Sequence, residues 1–224
     1  MHNVLLQIMA PKARVYCDSR GGSLNLGSKI EVVAVKGLNL CSARTRILSD
    51  LASSFFKLVV VFVRSGDIPF LRTEPAQHYR EVVQELSCLD DVKRKVIQLT
   101  TEVRDLGSVI VWATIPPMSF NFYNSYMFEN FRTDLLLFKP QYQFFQELHQ
   151  QLVIDFNLFL ISINCQEKLC TPYLHRLVQR RKKSQHIFDF HHFYDGLHPD
   201  GFLVFKWSQM LSKAIECNFY HLDL

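Results

Sequence analysis

Two short runs, "KLVVVFV" at 57–63 and "SVIVWATI" at 108–115, constrain the fold more than any other part of the chain. Both are rich in β-branched residues and apolar at successive rather than alternate positions. A strand of that kind is buried on both faces, which a parallel sheet with helices above and below provides. Three weaker strands are expected at "ARVYC" (13–17), "KIEVVAV" (29–35) and "NLFLISIN" (157–164). Amphipathic stretches fall between them. "SARTRILSDLASSF" (42–55) puts Ile47, Leu51 and Phe55 on one face. Residues 76–107 read as one or two helices stopped by Gly107, and 141–156 repeat apolar residues at helical spacing. A last helix is expected in "DGFLVFKWSQMLSKAIEC" (200–217), with Leu203, Trp207, Met210, Leu211, Ala214 and Ile215 on one stripe. The alternation predicts a doubly wound, three-layer α/β/α sandwich around a five-stranded parallel sheet. The 224 residues suit a single domain, 1–224 with a core of about 12–216, and no repeat or linker divides them. The aromatic, Asn-rich segment "PPMSFNFYNSYMFENFR" (116–132) is expected to be a long surface loop or lid.

Composition excludes several classes. With 48% hydrophobic and 21% charged residues the chain is globular rather than disordered. A net charge of +4 is too small to imply nucleic acid by itself. No stretch reaches the ~18 apolar residues of a membrane span. The start, "MHNVLLQIMAPKARVYC", lacks the basic region of a secretory signal. An intracellular setting, cytoplasmic or nuclear, is therefore expected, and the six cysteines read as reduced, mostly buried thiols. Cys165 and Cys170 are followed by His175, but no second pair has metal-ligand spacing, so no metal site is expected. His186, His191 and His192 read as loop histidines.

In a doubly wound sheet, ligands sit beyond the carboxyl ends of the strands. The first strand is followed there by "CDSRGG", the second by "VKGLN", the third by "RSGDIP", and the last helix is preceded by "YDGLHPD". Taken singly, each has a plain explanation. Ser19 reads as a helix cap, Asp195 and Gly196 as turn formers, and Pro199 as the first residue of a helix. Taken together they satisfy a chemical requirement. A serine nucleophile needs an imidazole to take its proton and a carboxylate to hold that imidazole in the right tautomer. An Asp and a His three apart on one tight turn, Asp195 and His198, let the carboxylate reach Nδ1 and leave Nε2 to face a serine across the crevice.

This order of blocks resembles the SGNH (GDSL-type) hydrolase family, over roughly residues 12–216. The family's Gly-Asp-Ser block is matched by "CDS", with Cys17 in place of the Gly, its second-block Gly by Gly37, and its Asp-x-x-His block by "DGLHP". The resemblance implies an SGNH/flavodoxin-like fold and an ester hydrolase acting on a small-molecule substrate with no cofactor and no metal. It makes Ser19 the nucleophile, His198 the general base and Asp195 its orienting carboxylate. The backbone N–H groups of Ser19 and Gly37 would form part of the oxyanion hole. The family's third block, Gly-x-Asn-Asp, falls on "RSGD", which puts Arg64 at the Gly, Asp67 at the Asp and Gly66 where an Asn side chain normally donates to the oxyanion. Losing one such donor costs about 2.7–4 kcal/mol of transition-state stabilisation. The final segment looks most like SGNH-type domains encoded by retrotransposons and other mobile elements. Some SGNH-like domains have lost catalysis and bind RNA. The basic run Arg180, Arg181, Lys182 and Lys183 therefore has two readings: a solvated, dipole-complementing helix end, or a contact for RNA or another nucleic acid in an inactive SGNH-like domain that binds RNA or a protein partner.

Overall fold

The run at 57–63 becomes an inner strand, β3 (Leu58–Phe62), of a four-stranded parallel sheet. All five of its side chains are fully buried, as a strand covered on both faces requires. The computed structural model describes residues 13–62, 86–131, 141–182 and 185–222. In it β1 (Ala13–Cys17) pairs with β2 (Ile30–Ala34) on one side and β3 on the other, and β4 (Val109–Trp112) closes the order β2-β1-β3-β4. The register sets Cys17 opposite both Ala34 and Phe62, so the loops leaving β1, β2 and β3 start at one edge of the sheet.

Helices cover the sheet to make the three-layer α/β/α sandwich. α1 (Leu40–Ser53) starts on a reciprocal cap, in which the Asn39 side chain accepts from Ser42 N–H and the Ser42 side chain accepts from Asn39 N–H. α2 (Leu86–Asp105) ends as its sequence demands. Gly107, at φ +80°, donates to Arg104 O while Ser108 donates to Val103 O, a Schellman stop. α3 (Phe120–Phe131), α4 (Gln141–Gln166) and α5 (Gly201–Leu222) follow. The stripe expected on α5 is the one that packs: Leu203, Trp207, Leu211, Ala214 and Ile215 are buried, and Trp207 meets Phe62 edge-on at 5.3 Å.

Several expectations need correcting. "NLFLISIN" is not a fifth strand but the last two turns and more of α4. Its apolar residues look continuous, yet the buried positions, Asn157, Leu160 and Asn164, fall at helical spacing and continue the line of Val153 and Phe156. The segment 116–132 is not a surface loop. Residues 113–120 are buried, and α3 begins at Phe120 because Ser119 caps it, its Oγ accepting from Phe122 N–H and its carbonyl from Tyr123 N–H. The basic run is not a helix end. Arg180, Arg181 and Lys182 lie on β5 (Gln179–Lys182), which pairs antiparallel with β6 (Gln185–Phe188) in a sheet apart from the main one. The cysteines are not all thiols either: Cys170 and Cys217 form a disulfide, Cys17 is buried, and Cys41 and Cys165 are exposed. Among the described residues no helix is long and apolar enough to cross a membrane.

The edge of β4 and the segment beyond it are held by side-chain amides. Asn164 on α4 accepts from Trp112 N–H (3.0 Å) and donates to Trp112 O (2.8 Å). Asn157 does the same for Ile115 (2.7 and 2.8 Å). Gln146 accepts from Phe120 N–H and donates to Met118 O (2.6 and 2.8 Å). His149, whose pKa is pushed down to about 3 by burial and then by the Arg20 charge, is neutral, and its Nε2 accepts from Met118 N–H. Thr114 N–H finds Pro172 O. Buried backbone groups that would otherwise need a neighbouring strand are thus satisfied by one face of α4 and, at Thr114, by the segment after it. We expect Asn157→Leu to strand the N–H and C=O of Ile115, costing about 1–3 kcal/mol for each group, to be read as a lowered midpoint in urea unfolding.

Candidate active site

Ser19 stands at the carboxyl end of β1, in a single 3-10 turn over Ser19–Gly21. The cap of that turn is Asp18 rather than Ser19, so Ser19 keeps its hydroxyl exposed. The Asp18 carboxylate accepts from Arg20 N–H (3.0 Å) and from Arg20 Nε (3.0 Å to Oδ2). Both partners are buried, where an ion pair persists only if its hydrogen bonds are well made. The Arg20 guanidinium also lies 5.0 Å from the centre of the Phe62 ring, which links the end of β3 to the turn. Cys17 fills the space beneath. A Cβ on Gly21 would come within 2.3 Å of its sulfur, so a thiol at 17 and a glycine at 21 go together. Burial pushes the Cys17 thiol up to about 12, which leaves it unreactive.

His198 arrives from 179 residues further along the chain and places Nε2 at 3.1 Å from Ser19 Oγ. Its Nδ1 lies 2.6 Å from Asp195 Oδ2. The other Asp195 oxygen accepts from the N–H groups of Leu197 (2.9 Å) and His198 (2.6 Å). Burial acts to raise the Asp195 carboxyl, but the hydrogen bonds from His198 and Leu197 outweigh it and hold the pKa below its ordinary value. Asp195 is therefore an anion at neutral pH, the state that accepts Nδ1–H and directs Nε2 to the serine.

The turn that carries this pair is seated on the start of α3. Gly196 has φ +76°, and a Cβ there would lie 2.6 Å from Ser119 O, 2.7 Å from Tyr123 N and 2.8 Å from Phe122 Cβ. Its carbonyl accepts from Ser119 N–H at 2.8 Å. Only glycine meets both demands, positive φ and close approach. The base of the turn is closed by a bridge between Phe193 and Pro199 and by Tyr194 N–H to His198 O. Asp200, not Pro199, caps α5, accepting from Leu203 N–H (2.8 Å) while its second oxygen meets His192 Nδ1 (2.8 Å). Two tyrosines that no motif singles out also stand here: the Tyr194 ring stacks on His198 at 5.7 Å and 17°, and Tyr126 meets Tyr194 edge-on at 6.3 Å. A groove of about 920 Å³ opens beside the turn, with Ser23, Asn25, Pro199, Phe205, Ser208 and Gln209 in its walls.

Gly37 lies in the turn after β2 with φ +72°, a conformation that explains the glycine. Asn39 is occupied as the cap of α1. Arg64, Gly66 and Asp67 lie outside the described residues, as does Lys183. Arg180 is exposed on β5 and pairs with Asp189 at 2.7 Å, a carboxylate that also meets His191 Nδ1. Arg181 and Lys182 are on the same strand, with side chains outside the described set. His175 is buried, its Nδ1 2.8 Å from Thr114 Oγ1, and takes no part in a cluster with Cys165.

By sequence, no family model and no curated protein matches the chain. By structure it is similar to a GDSL-like lipase from Bacteroides thetaiotaomicron, with TM-score 0.58 over 96% of this chain and 93% of that one, at 10% identity. A lipase/acylhydrolase from Enterococcus faecalis aligns at TM-score 0.55 over 92% and 95%, also at 10% identity. A catalytic mutant of an acetylxylan esterase from Geobacillus stearothermophilus aligns at TM-score 0.52 over 92% and 93%, at 11% identity. The fold is that of the GDSL-type lipases and acylhydrolases.

Two outcomes follow from this geometry. Gly196→Ala must push the turn off α3, so we expect a lower melting temperature together with loss of the Ser19–His198 contact, seen as loss of Ser19 reactivity in protein that is still folded. For Asp195, a pKa lowered on folding means that the unfolded chain binds more protons in acid. Its stabilising contribution is complete above the unfolded value of about 3.9 and is lost as pH falls through the lower native value. The difference in melting temperature between the parent and Asp195→Asn should therefore shrink between pH 6 and pH 3 (values set about that ~3.9 reference).

Proposed function

We propose that this chain is a serine ester hydrolase that works through an acyl-enzyme on Ser19. The observation that carries the reading is the unbroken relay from Asp195 to His198 to Ser19, at 2.6 and 3.1 Å. Both contacts are within reach for proton transfer, and the orienting carboxylate is anionic. Ser19 Oγ attacks the ester carbonyl as His198 Nε2 takes its proton. The tetrahedral intermediate expels the alcohol, which leaves with that proton. Water then repeats the sequence on the acyl-enzyme, with His198 as base, and releases the acid. The N–H groups of Ser19 and Gly37 are the donors we assign to the oxyanion. Gly66 adds no side-chain donor where the family's Asn would stand, so turnover is expected to be slow by about 10²–10³-fold relative to an enzyme with all donors present. The exposed ring of Tyr194, stacked on His198 and met edge-on by Tyr126, offers the substrate an aromatic wall.

The competing reading, an inactive domain that binds RNA or a protein, draws on the basic strand β5. On that strand Arg180 is exposed and pairs with Asp189. The test separates the two. A fluorophosphonate probe should label the folded protein at Ser19, and the label should vanish in Ser19→Ala. Labelling should fall by about 10³-fold or more in His198→Ala, because members of a triad act as a unit. Absence of labelling, together with single-strand RNA binding that weakens steeply with salt, would move the assignment to the binding domain.

A further inference from the structure

Far from the triad, three metal-ligating side chains converge at the other end of α5. Cys170 Sγ, Cys217 Sγ and a ring nitrogen of His221 lie within 4.8 Å of one another. From Gly201, beside the triad turn, to Cys217 is roughly 24 Å at 1.5 Å per residue. Cys217 and His221 are four apart on one helix, which sets both donors on the same face. Cys170 comes from the segment after α4. What fixes it there is not only the bond to Cys217. The Asn218 side chain accepts from Cys170 N–H (2.7 Å) and donates to Cys170 O (3.0 Å), and Asn218 is fully buried. This amide clamp holds Cys170 over α5 whether or not the two sulfurs are joined, so the three donors stay together when the disulfide is reduced. A disulfide that serves only as a staple has no need of an imidazole beside it, whereas two thiolates and a neutral imidazole are a donor set for zinc.

We propose that the reduced chain binds one zinc ion through Cys170, Cys217 and His221, and that the Cys170–Cys217 disulfide is the metal-free, oxidised form of the same site. Three protein donors leave the fourth tetrahedral position to water. Binding requires both thiols to lose their protons. Interconversion needs a two-electron oxidant, and a peroxide supplies it: the two thiolates give up one electron each and form the S–S bond, the peroxide O–O bond breaks, two protons are taken up to make two waters, and zinc leaves as the free dication. At that distance from Ser19 the metal takes no part in ester chemistry. Its effect is to tie the 170–174 segment, whose Pro172 carbonyl meets Thr114 N–H beyond β4, to the end of α5.

The whole protein, reduced with a phosphine and stripped of metal, would be titrated with cobalt(II) and then zinc(II). The expected result is one cobalt per chain with a thiolate-to-metal charge-transfer band, displaced by one zinc. Hydrogen peroxide should then release that zinc to a chromogenic chelator as two thiols per chain disappear. Cys217→Ser should abolish tight binding. His221→Ala, at an exposed position that leaves the fold intact, should weaken it about tenfold or more, since even outer partners of a metal ligand are worth about 10–100-fold. The proposal is overturned if the disulfide resists reduction in the folded protein, if the reduced protein takes up no stoichiometric metal, or if His221→Ala binds as tightly as the parent. Should Cys217→Ser fail to fold, the His221→Ala result decides alone.

Discussion

The unpaired edge of β4 is the constraint on which the rest of the structure depends. A parallel sheet that ends inside the protein leaves backbone N–H and C=O groups facing apolar surroundings, where each one unmade costs more than a typical hydrogen bond returns. Here α4 supplies what another strand would have supplied. Asn164, Asn157 and Gln146 each grip a donor and an acceptor of the segment from Trp112 to Phe120, and His149 adds a fourth contact at Met118. The ladder fixes where that segment runs after it leaves the sheet. It therefore fixes Ser119, which caps α3 and binds the Gly196 carbonyl.

From that point the site is assembled by position rather than by proximity in sequence. The β1 turn holds Ser19 through the Asp18–Arg20 pair, and the Gly196 turn holds His198 through its seat on α3. The two are brought to hydrogen-bonding distance by the sheet and the helix between them. Asp195 spends one oxygen on the backbone of its own turn and the other on the imidazole, so the carboxylate that orients His198 also shapes the loop on which His198 sits. Preorganisation of this kind is what acyl transfer asks of a base and its partner.

Much of this was legible in the chain. The strands within 57–63 and 108–115 could be read because a doubly buried strand has a composition no surface element tolerates. Gly107 could be read as a stop because only glycine readily takes a positive φ after a helix. "CDS" and "DGLH" could be paired because the chemistry of a serine nucleophile names its partners. The run at 157–164 misled because its apolar content hides two asparagines. Asn157 and Asn164 look like interruptions in a strand, and they are seven apart, two helical turns, facing an edge that the sequence does not declare. The aromatic stretch at 116–132 misled for the opposite reason: its helix is stabilised by a cap and by contact with Gly196, not by strong helix formers. Cys217 and His221 are four apart on one helix, but Cys170, which lies beside them, comes from a distant part of the chain and is near only in space.

By itself the sequence determined the local conformations and the chemical inventory: which runs must be buried, which glycines must turn, and which serine, histidine and aspartate have the right chemistry. Tertiary structure alone decided which of them meet. Hydrogen bonds between Asn157 and Ile115, between Gly196 and Ser119, and between Ser19 and His198 join residues with no periodic or compositional relation to one another. Their partners are selected by where the packed sheet leaves a buried polar group unsatisfied, and that is a property of the folded whole.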